Sequence, residues 1–342
     1  MKQSYLAAAT ALAFLCSSCQ RTDSLDSIIS QKFVHKYGFN LSQEEWSERA
    51  EDGQVITKLA DGVTICQTYE NGELHGPTTH TFPHQEAVEK QLIYDQGVLL
   101  KETHYSKDGI PAKEELYEFD DRRVITLWDH KGVPLSIEEY DGELLVEGTY
   151  FTQEHDLEAR VEQGFGERVQ RDREGTLLTR DRIENGILTE RMTYYPNGQL
   201  QTISHYHDYQ LHGIQKKFSN IGRPLMEATW NHGVLDGVKI TYRNGVKLTE
   251  VPYSQGERHG IERHYDDLGN LIAEIPWRND KKHGCSKNYG EESLDLQWFF
   301  DGHSVSASRF DQLQTREDLI AEFQGTRPKE GFLPFSDEEF ME

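Results

Sequence analysis

The chain has 342 residues, of which 36 are Lys or Arg and 59 are Asp or Glu, a formal net charge of −23. With a pI near 5.1, the chain as a whole is ill suited to holding nucleic acid or an anionic lipid surface through charge. Only 36% of residues are apolar and mean hydropathy is −0.73, yet aromatics reach 11% and there are 28 Gly. That mix excludes wholesale disorder and a thick aliphatic core, and it suits thin sheets with many turns.

Residues 1–20 read MKQSYLAAATALAFLCSSCQ. One Lys precedes a short apolar run and then small residues, the layout of a secretory signal too short to anchor stably across a bilayer. Ser17 and Ser18 before Cys19 resemble a bacterial lipobox, with Cys16 where that motif usually has Leu. The resemblance implies a signal peptide over 1–18 and an acylated Cys19. Gln20, in place of Asp, then favours the outer membrane over the inner. An ordinary signal cut nearby, leaving a soluble periplasmic protein, is the alternative.

Residues 19–50 begin as a polar tether. Within them Ser42 and Glu45 form a capping box ahead of Trp46, so the sequence predicts a short helix covering the first strand.

A repeat fills 51–303. One series of turn glycines falls at Gly109, Gly132, Gly175, Gly198, Gly222, Gly245 and Gly269, with a degenerate turn between Phe151 and Asp156. A second series, half a period away, includes Gly72, Gly97, Gly142, Gly164, Gly186, Gly233 and Gly256, with Asp120, Tyr209 and Asp280 in slots that lack glycine. Pairs such as Asn71-Gly72 and Asn185-Gly186 are hairpin turn signals. Aromatics recur just ahead of the turns, among them Tyr206, Trp230, Tyr253 and Trp277, and period-2 alternation lies between. The expected fold is all-β: an elongated single-layer antiparallel meander of hairpins, with short helical caps at both ends. About ten hairpins of two strands each, ~4.8 Å apart, give a ribbon on the order of 100 Å. Its stability rests on the aromatic ladder between neighbours. Cys66 and Cys285 then sit too far apart to pair and are expected to be free thiols.

The segments YENGELHG (69–76), YYPNGQLQTISHYHDYQLHG (194–213), NGVKLTEVPYSQGERHG (244–260) and LGNLIAEIPWRNDKKHG (268–284) resemble MORN-repeat variant proteins, some of which are catalogued as antitoxin-like (the YwqK type). The likeness spans roughly 52–303 and is loosest between Asp120 and Arg182. It implies an extended repeat surface for protein or membrane contact and no enzyme activity.

Beyond the repeats, Thr315 and Asp318 read as a helix start, with Leu319, Ile320 and Phe323 along one face, so residues 304–325 are expected to form a C-terminal helical cap. The remainder, 326–342, reads as a disordered acidic tail.

His75, His212, His259 and His283 each precede a glycine. Equivalent residues in neighbouring repeats stand about 10 Å apart, too far to share an ion, so a local role in the turn is the expectation. Gly164-Phe-Gly166 reads as a repeat turn, and no nucleophile elbow or HExxH appears. The chain is expected to be non-enzymatic, with no cofactor, metal or nucleic acid. It would serve as an envelope lipoprotein, lipid-anchored to the membrane, that offers a binding surface to an unidentified protein. The alternatives are an antitoxin-like inhibitor that occludes a toxin and a lipid-contacting repeat module.

Overall fold

The computed structural model describes residues 28–49, 52–290 and 293–324. The signal peptide, Cys19 and the acidic tail 326–342 lie outside the described residues. Those described form 29 strands and two helices, the strands pairing antiparallel with their chain neighbours, so the all-β meander is observed. No described helix is long and apolar enough to cross a membrane. The chain divides into two compact units, residues 1–212 with 218–222, and residues 213–217 with 223–342.

In the first unit, sheet begins earlier than the tether reading allows. Ile28–His35 pairs with Gly53–Leu59, and Asn40–Leu41 folds back onto Phe33 and Val34. The capping box forms as expected: Glu45 N–H donates to Ser42 Oγ (3.1 Å) and Ser42 N–H to the Glu45 carboxylate (2.8 Å). It starts helix α1, Gln43–Arg49. Trp46 of α1 lies 5.5 Å from the Phe33 ring and edge-on to Tyr69 at 5.9 Å, so the helix covers the first strands.

The two glycine series close their turns differently. In the first, the Gly N–H returns to the carbonyl three residues back, as from Gly109 to Ser106 (2.9 Å) and Gly175 to Asp172 (3.0 Å). An Asp at the head of such turns accepts backbone N–H groups: Asp129 Oδ1 takes those of Lys131 and Val133, both at 2.8 Å. Although partial burial opposes it, these bonds hold the Asp129 carboxyl below its usual range. In the second series the turn N–H reaches the neighbouring hairpin instead. Gly97 donates to Leu74 O (2.8 Å), Gly142 to Asp121 O (3.2 Å), Gly164 to Val146 O (2.8 Å) and Gly186 to Gly164 O (2.8 Å). That edge is therefore a spine of hydrogen bonds between hairpins, which satisfies backbone groups an open edge would leave to water. At the degenerate turn His155 takes the left-handed conformation (φ 65°) that glycine takes elsewhere, its ring stacked on Phe151 at 4.6 Å.

The first unit also has a core where a thin layer was expected to have little. Leu145, Tyr150, Val161, Val169 and Ile183 form a buried cluster, with Tyr150 and Val161 at 0% exposure. It lies in the stretch where the repeat pattern is loosest.

The second unit continues the meander. Its turn spine runs from Gly256 to Leu235 O (2.8 Å), Asp280 to Arg258 O (3.1 Å) and Gly302 to Lys282 O (2.8 Å). Helix α2, Ala307–Phe323, closes it. The N-cap of α2 is Ser306, whose side chain accepts from Arg309 N–H, so the helix begins well before Thr315, which bonds to Asp311 O inside it. The docked face also differs from the expected one. Phe310 packs on Trp298 (5.0 Å), His283 (5.4 Å) and Phe300 (5.9 Å), and Glu317 accepts from Arg278 at 2.8 Å. Leu319, Ile320 and Phe323 stay exposed. Phe310, Gln314 and Glu317 form the docked side in place of the expected stripe. Cys66 and Cys285 are free thiols, each pushed up by burial.

Candidate functional site

The first unit holds a buried ion cluster at its core. Glu138 on strand Pro134–Asp141 and Arg168 on strand Phe165–Arg171 are three strand pairings apart. At ~4.8 Å per pairing a flat sheet would separate the strands by ~14 Å. Yet Arg168 grips Glu138 with two parallel bonds of 2.7 and 2.9 Å. The registers explain how. Glu138 lies opposite Gly148, Gly148 opposite Val161 and Val161 opposite Gly166, two residues from Arg168. With glycine at two of the intervening positions the face can coil inward. A Cβ on Gly148 would overlap the Tyr150 ring and hydroxyl. Tyr150 crosses that gap to donate to Glu138 at 3.1 Å, and Tyr140 donates at 2.7 Å. Burial, then the Glu138 charge, push both phenols well above their usual range. Burial works against the Arg168 charge, but Glu138 holds it firmly protonated. A second bidentate pair, Arg191 to Asp181 at 2.8 and 2.7 Å, lies nearby in the sheet, with Asp181 1% exposed. These pairs tie together strands of the coiled sheet, so their role is structural packing.

In the second unit the two sheet faces differ. One carries the predicted ladder. Tyr253 lies opposite Gly237, Trp277 opposite Gly260, and Phe299, which the sequence reading passed over, opposite Gly284. The glycines after His75, His259 and His283 therefore leave room for the ring of the next hairpin. The same pairing joins Tyr69 to Gly53 and Tyr94 to Gly76 in the first unit. Cations fill the gaps between rings: the Arg258 guanidinium lies 3.5 Å from the Trp277 centroid and the Lys282 ammonium 4.9 Å from that of Phe299. Both sit just before a His-Gly pair, a signal present in the sequence. Trp277 is only 9% exposed, and Tyr206, Trp230 and Tyr253 are half-buried. The ladder is therefore mainly internal packing and not an exposed aromatic platform. The turn residues Gly198, Gly222, Gly245 and Gly269 take φ of +79°, +77°, +85° and +89°, the left-handed conformation their turns require.

The opposite face repeats another unit. Tyr242 donates to Glu227 (3.3 Å), Tyr265 to Glu250 (2.7 Å) and Tyr289 to Glu274 (3.1 Å), each pair fifteen residues apart in sequence. Lys247 pairs with Glu250, and Arg263 donates to Glu274 at 3.3 Å. Burial and Glu250 push the Tyr265 phenol up to about 12. Against partial burial, Lys247 and Tyr265 hold the Glu250 carboxyl below its usual range. Cross-strand register puts Leu225, Val238, Ile272, Leu294 and Leu296 on this same face, and they are 42%, 43%, 38%, 50% and 50% exposed. The result is an open surface of aliphatic side chains set among internally neutralised Glu, Tyr, Lys and Arg.

The four histidines occupy equivalent backbone positions. Each N–H closes its turn, for example His259 to Pro252 O and His283 to Pro276 O, both at 3.0 Å. Their side chains take different partners. His75 meets Glu70 (3.1 Å) and Asp95 (3.2 Å), the His212 ring lies tilted 5.5 Å from that of His207, His259 meets Asn279 (3.2 Å), and buried His283 meets Gln314 of α2 (3.0 Å).

The family described as MORN repeat variant matches residues 184–208 and 258–279, one segment in each unit and both within the repeat span. The match supports a repeat-based binding or scaffolding module. No curated protein matches the chain. Among solved structures, a porin-like protein from Bacteroides uniformis ATCC 8492 is 13% identical, covering 80% of this chain and 91% of that chain. Its TM-score is 0.16, too low to speak for a shared fold.

Proposed function

We propose that the chain is a non-enzymatic bacterial envelope lipoprotein, held to the membrane by acylated Cys19, that binds a partner protein through the repeat sheet. The observation that carries the binding reading is the set of aliphatic side chains Leu225, Val238, Ile272, Leu294 and Leu296, exposed on the Glu and Tyr face of the second unit. Large aliphatic side chains exposed on one sheet face among polar groups suit a protein contact surface. The neutralised Glu, Lys and Arg between them would add little charge penalty to a protein–protein contact. The anchoring reading rests on Ser17, Ser18 and Cys19 behind the short apolar run. Outer-membrane delivery follows from Gln20. Two or three acyl chains, at ~0.8 kcal/mol per buried CH₂, hold a protein to a bilayer durably.

Two experiments test this reading. A clickable palmitate analogue should label the wild type and not Cys19→Ala; an unlabelled wild type would remove the anchor. A photocrosslinking residue at Leu296 should trap a partner in intact envelopes, while one at Gln297, next in sequence but on the opposite face, should not. Equal trapping at both positions would discard the face assignment. Recovery of a toxin alone would favour an inhibitor over a scaffold.

A further inference from the structure

We infer that the N-terminal hairpin, residues 28–41, lies in the interfacial layer of the bilayer to which Cys19 is tethered, an inference that rests on the acylation reading above.

The hairpin is built for an amphipathic surface. Its turn closes by His35 N–H to Phe39 O (2.9 Å) and Gly38 N–H to His35 O (2.7 Å). Phe33, which packs on Trp46, and Val34 are half-buried. The opposite result holds for Ile29, Tyr37 and Phe39, which are 70%, 79% and 52% exposed. The exposed rings form one group, with His35 stacked on Phe39 at 4.5 Å and 5.2 Å from Tyr37. The Lys36 ammonium lies 5.6 Å over Tyr37 while also pairing with Asp52. Tyr, Phe and Lys together suit the boundary between headgroups and acyl chains.

Charge and reach select lipid as the occupant. From Ser27 to Gln43 the chain has Lys32 and Lys36 and no Asp or Glu, although the whole protein carries −23. Asp52 already neutralises Lys36, which leaves the exposed Lys32 as the charge the hairpin offers to anionic headgroups. Nine residue steps separate Cys19 from Ile28, at most about 30 Å of extended chain. The hairpin is thus the part of the described protein held nearest the bilayer, where tethering replaces affinity with effective concentration.

The test uses the full acylated protein in vesicles of mixed zwitterionic and anionic phospholipid, with Cys66 and Cys285 changed to Ser. An environment-sensitive fluorophore at Asn40→Cys is compared with one at Phe119→Cys, an exposed turn site about six strand pairings along the sheet. Brominated acyl chains should quench the label at position 40 several-fold more than at 119. Adding Tyr37→Ser and Phe39→Ser should reduce quenching at 40 to the control level while the protein still floats with the vesicles. Flotation with equal quenching at both sites overturns the inference and leaves the anchor intact. Failure to float, with no palmitate label on Cys19, overturns the anchor and the inference with it.

Discussion

Replacing Arg168 with Met tests whether the buried cluster sets the coil of the first unit. The substitution removes three bonds, two to Glu138 at 2.7 and 2.9 Å and one to the Tyr140 hydroxyl at 3.1 Å. Glu138 has a side chain only 5% exposed. Without Arg168 its carboxylate keeps just the Tyr140 and Tyr150 donors. Breaking a buried pair from one side costs about 3–5 kcal/mol, because the remaining charge stays desolvated. The double variant Glu138→Gln with Arg168→Met removes both charges while the Gln carbonyl still accepts from the phenols. It should recover all but about 1–2 kcal/mol. Urea unfolding gives the free energies, and hydrogen exchange of amides in 134–141 and 165–171 localises them. A coupling energy above about 1.5 kcal/mol is expected. Additive losses, or a cost below about 1 kcal/mol for Arg168→Met alone, would show that the coil stands without the pair.

Three further outcomes follow from the same geometry. Trp277→Ala, at a ring 9% exposed and capped by Arg258, should cost about 3–5 kcal/mol in urea unfolding, whereas Arg258→Gln, losing only the cation over the ring, should cost about 1 kcal/mol. Gly260→Ala, at φ +108° with the Pro252 ring 3.1 Å from the added methyl, should destabilise by at least about 1 kcal/mol, measured the same way. His104, then Lys90, holds the Glu102 carboxyl down to about 2 against partial burial. A depressed folded value stabilises above the unfolded one, so this contribution is present above pH ~4.3 and fades as pH falls toward 2. Glu102→Gln should therefore narrow the wild-type advantage across that window, by about 1 kcal/mol after solvent screening, in urea titrations at a series of pH values.

Much of the fold is legible from spacing. Asn-Gly turns and period-2 alternation fix hairpins because backbone sterics admit few residues at positive φ, and the Ser42 and Glu45 box forms as read because both its bonds are local. The start of the sheet at Ile28 is less legible, since that strand has no turn glycine ahead of it and gains its place chiefly by pairing with the distant Gly53–Leu59. The rotation of α2 is hidden too. Its apolar residues point one way, but Phe310, Gln314 and Glu317 find their partners in Trp298, His283 and Arg278. Of the surfaces, the aromatic periodicity marks a ladder but not whether it is exposed. That Val238 and Leu296 share a face becomes visible only when strand register is known.

The sequence by itself determined the meander and its period, since turns and alternation act within about a dozen residues. Only the tertiary structure decided what happens between hairpins. Gly148 and Gly166 let Arg168 reach Glu138 across three pairings, Arg258 lies over a Trp nineteen residues away, and second-series turns bond edge to edge. Such contacts depend on twist, curvature and register. These are sums of small terms over many strands, and no local window of residues encodes them.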